Sequence, residues 1–236
     1  MKRNRLLLLA GAVGVAAVVA VVLIVVVAGG GSSSTASTTA PTGTTSTAAA
    51  SRSLAGIPQH GSVLGDPKAP TTLVVYEDPQ CPFCRQWNTD TLPTVLRDFV
   101  RPGKMKLDYR GVVIIGPNSL KGLRAIYAAG EQNKLWNMVD ALYAQQGAEN
   151  SGWITDEVIR MAAREAGASS AQILARMNTP AVTAQLTRAA KQAAADQVQG
   201  TPTFVVEHPP AVSQQLSLTS LEPAEFVAAL DAALQQ

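Results

Sequence analysis

A chain of 236 residues, 47% apolar and 15% charged, is long enough for one or two domains with a sizeable buried core. Its formal charge of +2 overstates any basic character, because Lys2, Arg3, Arg5 and Arg52 all precede the region expected to fold and leave 15 basic against 17 acidic residues from Ser53 onward. That balance excludes a nucleic-acid footprint and offers no basic cluster to a polyanionic substrate.

Residues 1–5 carry three positive charges ahead of Leu6 to Ala28, a run without a charged or strongly polar residue. About twenty apolar residues are enough for a helix to cross a bilayer, so residues 6–28 are expected to form a membrane span or a signal sequence. The preceding charges keep the N-terminus cytoplasmic and send the remainder outward, which makes everything after Ala28 extracytoplasmic. Ala28-Gly29-Gly30-Gly31 offers small residues to a signal peptidase, but the run exceeds the about 7 to 15 residues of a cleavable core, which favours a retained single-pass anchor. No cysteine follows it to carry a lipid. Residues 29–53 are almost wholly Gly, Ser, Thr and Ala with Pro41, a composition that cannot offset its ordering entropy; as a flexible tether it reaches on the order of 25 to 30 Å.

The folded region is expected from Leu54 to Gln236. Gly65-Asp66-Pro67-Lys68-Ala69-Pro70 supplies turn chemistry before Thr71 to Tyr76, which reads as a buried strand. Pro82 suits the first position of a helix whose apolar face includes Phe83, Trp87, Val95, Leu96 and Phe99. Pro93 predicts a break near Asp90 to Leu92, and Pro102-Gly103 the end of the run. Met105 to Ile115 contains a second strand. From about 118 to 198 the chain is Ala-rich with helix-period apolar positions and a cap at Thr155-Asp156-Glu157, which predicts four or five helices. Strand character returns at Thr203 to Val206 and weakly near Leu216 to Leu218, and a last helix is predicted from Glu222 to Leu234. Strand, helix, strand, helical block, strand, strand, helix implies an α/β domain with helices inserted into one sheet.

Cys81 and Cys84 are the only cysteines, in Cys81-Pro82-Phe83-Cys84 at the junction of the first strand and its helix. A disulfide stabilises mainly by closing a long unfolded loop, so a bridge over two residues gains little as a staple. Its chemistry explains it better. At a helix start the free N–H groups and the positive end of the dipole favour a thiolate, lowering the pKa below the ordinary value of about 8.5. An inert disulfide is the plain alternative. Zinc requires further ligands, and only His60 and His208 remain, in no recognised spacing; they read as loop residues, and neither metal nor cofactor is expected. Trp87, Trp136 and Trp153 read as core or interface packing.

A CxxC at a strand-to-helix junction is a thioredoxin signature. Val63 to Pro70 (VLGDPKAP), Glu77 to Cys84 (EDPQCPFC) and Gly200 to Phe204 (GTPTF) together resemble the three signature stretches of the DsbA-type disulfide oxidoreductases, over roughly Ile57 to Leu234. The resemblance implies a thioredoxin-like fold with an inserted helical subdomain. It implies Cys81 as the exposed nucleophile, Cys84 as the buried resolving thiol, and a cis Thr201-Pro202 bond beside them, with the Thr201 backbone pairing with substrate. Pro82 and Phe83 would tune the potential: strongly oxidising relatives carry a histidine where Phe83 stands, so a milder oxidant with a less depressed Cys81 is expected. Several relatives hold a buried acid within the strand, where this chain has Val74, Val75 and Tyr76. Glu77 and Asp78 are candidates for proton handling, against a solvated or turn-capping role.

The expected partners are secreted or cell-envelope proteins with cysteines and, by resemblance, a membrane-embedded quinone-linked thiol oxidase. Oxidation is the favoured direction, since disulfides persist outside the cytoplasm. A reductase or isomerase would share every motif, and a binding or chaperone-like module with a structural disulfide is the alternative of another class.

Overall fold

The computed structural model describes residues 54–210 and 213–235. The expected anchor over 6–28 and linker over 29–53 lie outside them. None of the described helices is long and apolar enough to cross a membrane.

Six strands form one mixed sheet: β1 (Gln59–His60), β2 (Val63–Leu64), β3 (Thr71–Glu77), β4 (Met105–Gly111), β5 (Thr203–Glu207) and β6 (Gln214–Gln215), in the spatial order β1-β2-β4-β3-β5-β6. β3 runs parallel to β4 and antiparallel to β5. Central β3 is apolar on both faces because both are covered: Leu73 and Val75 enter the main core, while Val74 and Tyr76 enter a smaller one with Val112, Ala193 and Val205. The β1–β2 hairpin, turned at Gly61 with φ +60°, went unread in the sequence, since two-residue strands carry no periodicity.

α1 (Pro82–Gln86) starts with Pro82, as expected, and the helical run continues through a wide turn at Trp87–Thr91, α2 (Leu92–Val95) and a second wide turn at Leu96–Val100. The first wide turn stands where a break was predicted. Pro93 has no N–H to donate, and the turn before it closes instead through Leu92 N–H on the Trp87 carbonyl. Trp87 meets Phe204 at 5.1 Å and Phe226 at 6.0 Å between ring centroids, and Phe204 meets Phe226 edge-on at 4.7 Å. Each such pair adds about 0.5–1.5 kcal/mol beyond the area it buries, fixing this run against β5 and the last helix.

Between β4 and β5 stand five helices: α3 (Pro117–Gly130), α4 (Leu135–Ala144), α5 (Asp156–Glu165), α6 (Ser170–Arg176) and α7 (Pro180–Ala195). Thr155, Ser169 and Thr179 cap the last three, accepting from the N–H groups of Val158, Gln172 and Val182. α8 (Pro223–Leu234) closes the domain. The predicted second strand ends at Gly111, and Val112 to Ile115 leave the sheet. Val112 N–H bonds the Glu77 carbonyl, whereas Ile114 and Ile115 donate to the Asp78 carboxylate, which leaves Val113 and Ile114 46% and 44% exposed.

On the sheet face away from α1, Arg110 gathers three acids. It bonds Asp108 and Glu207 at 3.1 Å each, lies 3.6 Å from Asp196 at the end of α7, and donates to the Tyr76 hydroxyl at 3.0 Å. Tyr76 in turn donates to Asp196 at 2.6 Å. This network ties α7 to β3, β4 and β5.

Candidate active site

Parallel β3 and β4 end side by side, and the chain turns from β3 into α1 across residues 78–81. Asp78 organises that turn. One carboxylate oxygen accepts from Gln80 N–H and Ser119 Oγ (2.8 and 2.6 Å), the other from Ile114 and Ile115 N–H (2.8 and 2.9 Å). Gln80 bonds Ser119 Oγ and takes the N–H of Asn150, and Gln146 donates to the carbonyls of Pro79 and Cys81 at 3.0 and 3.1 Å. Gly122 lets α3 lie against Pro79, where a Cβ would stand 2.9 Å from the proline ring. The helical insertion therefore holds the turn that aims Cys81.

Cys81 is the N-cap of α1, in extended conformation. Its sulfur donates to the Thr201 carbonyl at 3.1 Å. Both cysteines are free thiols. The expected contrast between an exposed and a buried sulfur needs correction: Cys81 is 3% exposed and Cys84 fully buried, because the Thr201-Pro202 loop covers the first sulfur. What separates them is acidity. A hydrogen bond from the Cys84 thiol, a contact with the Thr201 side chain and the N–H groups of Cys84 and Phe83 outweigh burial and pull the Cys81 thiol down to about 6. Burial, the bond it gives to Cys81 and the charge of Glu77 push Cys84 well above the ordinary thiol range. A thiolate forms at Cys81 near neutral pH while Cys84 keeps its proton.

Glu77 is not solvated. β3 extends one residue beyond the predicted Tyr76, and this places Glu77, fully buried, on the interior face behind the cysteine pair. Asn88 Nδ2 bridges Glu77 Oε1 (2.8 Å) and the Cys84 carbonyl (2.9 Å), and Tyr143 OH donates to Glu77 Oε2 at 2.9 Å. No cation is among these partners. Burial raises the Glu77 carboxyl to about 8 despite the two donors. Asp78 does cap a turn, but it too is fully buried.

The Thr201–Pro202 peptide is cis, and both residues stand half-buried beside the pair. With Phe83, 61% exposed, they line one end of a groove of about 470 Å³ that runs past Leu216 and Leu218 to the start of α8. Pro82 is exposed at the first position of α1. The structure thus brings together Glu77, Asp78, Cys81, Pro82, Phe83, Cys84, Thr201 and Pro202. It leaves His60 exposed on β1 and His208 bonded to Thr71 Oγ1 at 2.5 Å, both away from the sulfurs. Trp87 and Trp136 are core, and Trp136 donates to the Ser62 carbonyl. Among the described residues no three His, Cys, Asp or Glu side chains group to hold a metal ion. Asn88, Tyr143, Gln80 and Gln146 went unread. Asn88, one turn after Cys84 on the same helix face, carried a usable signal, and Gln80 stands in the turn just before Cys81; Tyr143 and Gln146 arrive from the helical insertion.

Residues 59–232 match a thioredoxin family model. The probable disulfide bond formation protein D of Bacillus anthracis is 32% identical over 99 residues, covering 41% of this chain and 45% of that protein. The chain thus spans just under half the length of this curated relative. Among solved structures, oxidised BdbD from Bacillus subtilis superposes with a TM-score of 0.64 at 20% identity, covering 76% of this chain and 98% of that one. A thioredoxin-like oxidoreductase from Silicibacter pomeroyi DSS-3 superposes at 0.57 with 31% identity, covering 74% and 92%. The chain belongs to the thioredoxin family, and its mixed sheet with a helical insertion between β4 and β5 gives it the DsbA-like form of that fold.

Proposed function

We propose that this protein is an extracytoplasmic thiol-disulfide oxidoreductase, tethered to the membrane through residues 6–28 and acting on secreted or cell-envelope proteins through Cys81 and Cys84 in its domain from 54 to 236. The observation that carries the reading is the split in acidity within one buried pair: Cys81 drawn down to about 6, Cys84 pushed up. A structural disulfide needs no such split.

In the oxidising direction a client thiolate attacks Cys81 of the Cys81–Cys84 disulfide. The S–S bond breaks, a mixed disulfide forms at Cys81, and Cys84 leaves as a thiolate. Buried with a high pKa, Cys84 takes a proton, and Glu77, protonated up to about pH 8 and buried behind the pair where its charge acts on the Cys84 thiol, is the group we assign to supply it. The client's second thiolate then attacks its own sulfur in the mixed disulfide and expels Cys81, a good leaving group because its thiolate is stabilised. The client ends with a new disulfide and two electrons rest on the pair. Stabilising the Cys81 thiolate stabilises the reduced protein, which makes the oxidised form an oxidant. Phe83 offers no hydrogen bond or charge to deepen that effect, in keeping with a milder potential. The Thr201 backbone is the substrate-pairing edge in this reading. A membrane-embedded quinone-linked thiol oxidase is the reoxidant it calls for.

Trapping tests this directly. With Cys84→Ala the mixed disulfide has no resolving thiol, so client adducts on Cys81 accumulate in cells and disappear on reduction. No adducts, together with a wild-type disulfide resistant to mild reductants, would return the chain to a binding module.

A further inference from the structure

The groove beside Cys81 is apolar at its near end, where Phe83, Leu216 and Leu218 line it, and ends at the start of α8. Glu222 is the one charged residue among those that line it. It is exposed and is the N-cap of α8. One turn on, Glu225 accepts from Ser220 Oγ at 2.6 Å and Thr219 Oγ1 at 3.0 Å, two residues of the groove wall, so a second carboxylate backs the same end. Neither acid joins any of the salt bridges among the described residues. The far end of the groove is therefore a negative surface without an ion-pair partner among the described residues, adjoining an apolar one.

From this we infer that Glu222 determines specificity: the groove favours client segments that set an apolar side chain against Phe83, Leu216 and Leu218 and a lysine or arginine at the Glu222 end, and it disfavours acidic segments there. The inference rests on the oxidoreductase reading and adds a substrate class to it. A cationic side chain gains attraction where an acidic one meets repulsion from two carboxylates, and both terms are those of a solvent-exposed pair. The selection is modest, sensitive to salt, and felt in encounter more than in chemistry.

The test uses the oxidised full-length protein in detergent and dithiol peptides that differ only in carrying Lys, Glu or norleucine at each of the three positions flanking the first cysteine. Each rate is divided by the same peptide's rate with a small aromatic disulfide, which removes differences in thiol acidity. At the best position the Lys peptide reacts about fivefold faster than the Glu peptide, a ratio set by exposed charge pairs. Glu222→Gln shrinks that ratio, Glu222→Lys inverts it, and about 0.5 M salt compresses it in the wild type, so the salt arm stands even where a variant folds poorly. Equal rates for Lys and Glu peptides at every position, or a ratio unchanged in Glu222→Gln, overturns the inference while leaving oxidation intact. Failure to oxidise any peptide removes the reading beneath it.

Discussion

Tyr76 and Glu77 are neighbours on β3, both fully buried, and face opposite sides of the sheet into different electrostatic settings. Tyr76 sits among opposite charges, between the Arg110 guanidinium and the Asp196 carboxylate, with Asp108 and Glu207 completing the group. Glu77 has two neutral donors and no cation. Burial that includes a counter-charge pins protons and charges where they are and works as a clamp. Burial without one leaves a carboxyl that holds its proton up to about pH 8. One strand thus carries a fixed charge network on one face and, on the other, a buried carboxyl to which we assign a movable proton.

Removing the central cation attacks the clamp. Arg110→Met strands three acids around a mostly buried position and is expected to lower stability by about 3 kcal/mol in denaturant melts. A loss below about 1 kcal/mol, the worth of a surface pair, would mean that the network does not hold α7 to the sheet. The next effect is on the other face. Glu77→Gln keeps the size and one acceptor but not the proton, and is expected to slow opening of the Cys81–Cys84 disulfide by client thiol at least about tenfold below pH 8. The same variant changes the pH dependence of stability. Glu77 stays protonated in the fold up to about 8 but ionises near 4.5 when unfolded, so between these values the native state holds the extra proton and stability falls as pH rises. The melting temperature of Glu77→Gln should follow a flatter pH profile across that window, and parallel profiles would place the movable proton elsewhere. Tyr76→Phe is the mildest change. It removes one donor to Asp196 while Arg110 remains, costs about 1 kcal/mol, and leaves the ultraviolet titration of the Cys81 thiolate where it was.

The reactive pair and the helical insertion were legible because each is a local signal: two cysteines at a strand end and an Ala-rich helical period. The cis Thr201-Pro202 bond was expected only through the resemblance to the DsbA-type family. The burial of Glu77 was not legible. Whether an acid at the end of a strand is buried depends on where the strand stops, and β3 runs one residue past the apolar stretch. Its partner Tyr143 lies far along the chain, and only the fold of α4 over the sheet brings it in. Asp78 caps a turn but is buried rather than solvated, because Val112 to Ile115, strand-like in sequence, leave the sheet and form the loop that covers it. The groove's far wall went unread for a similar reason: Leu216 to Leu218 show only weak strand character, and the relation of residues 216–222 to Phe83 is set by α8 packing on Trp87 and Phe204.

The described chain begins at Leu54, whose neighbour Ala55 accepts from the Arg101 guanidinium at 3.0 Å, while Ile57 and Pro58 lie beside Val100 and Pro102. Cys81 starts the helical run that Arg101 ends, and at 1.5 Å per residue twenty steps span at most about 30 Å, shortened by the wide turns at Trp87–Thr91 and Leu96–Val100. Leu54 therefore stands toward the pole opposite the sulfurs. A surface, bead or fusion partner attached upstream of Leu54 leaves the reactive pole uncovered, which makes this end the practical handle for arraying the protein with its chemistry facing solution.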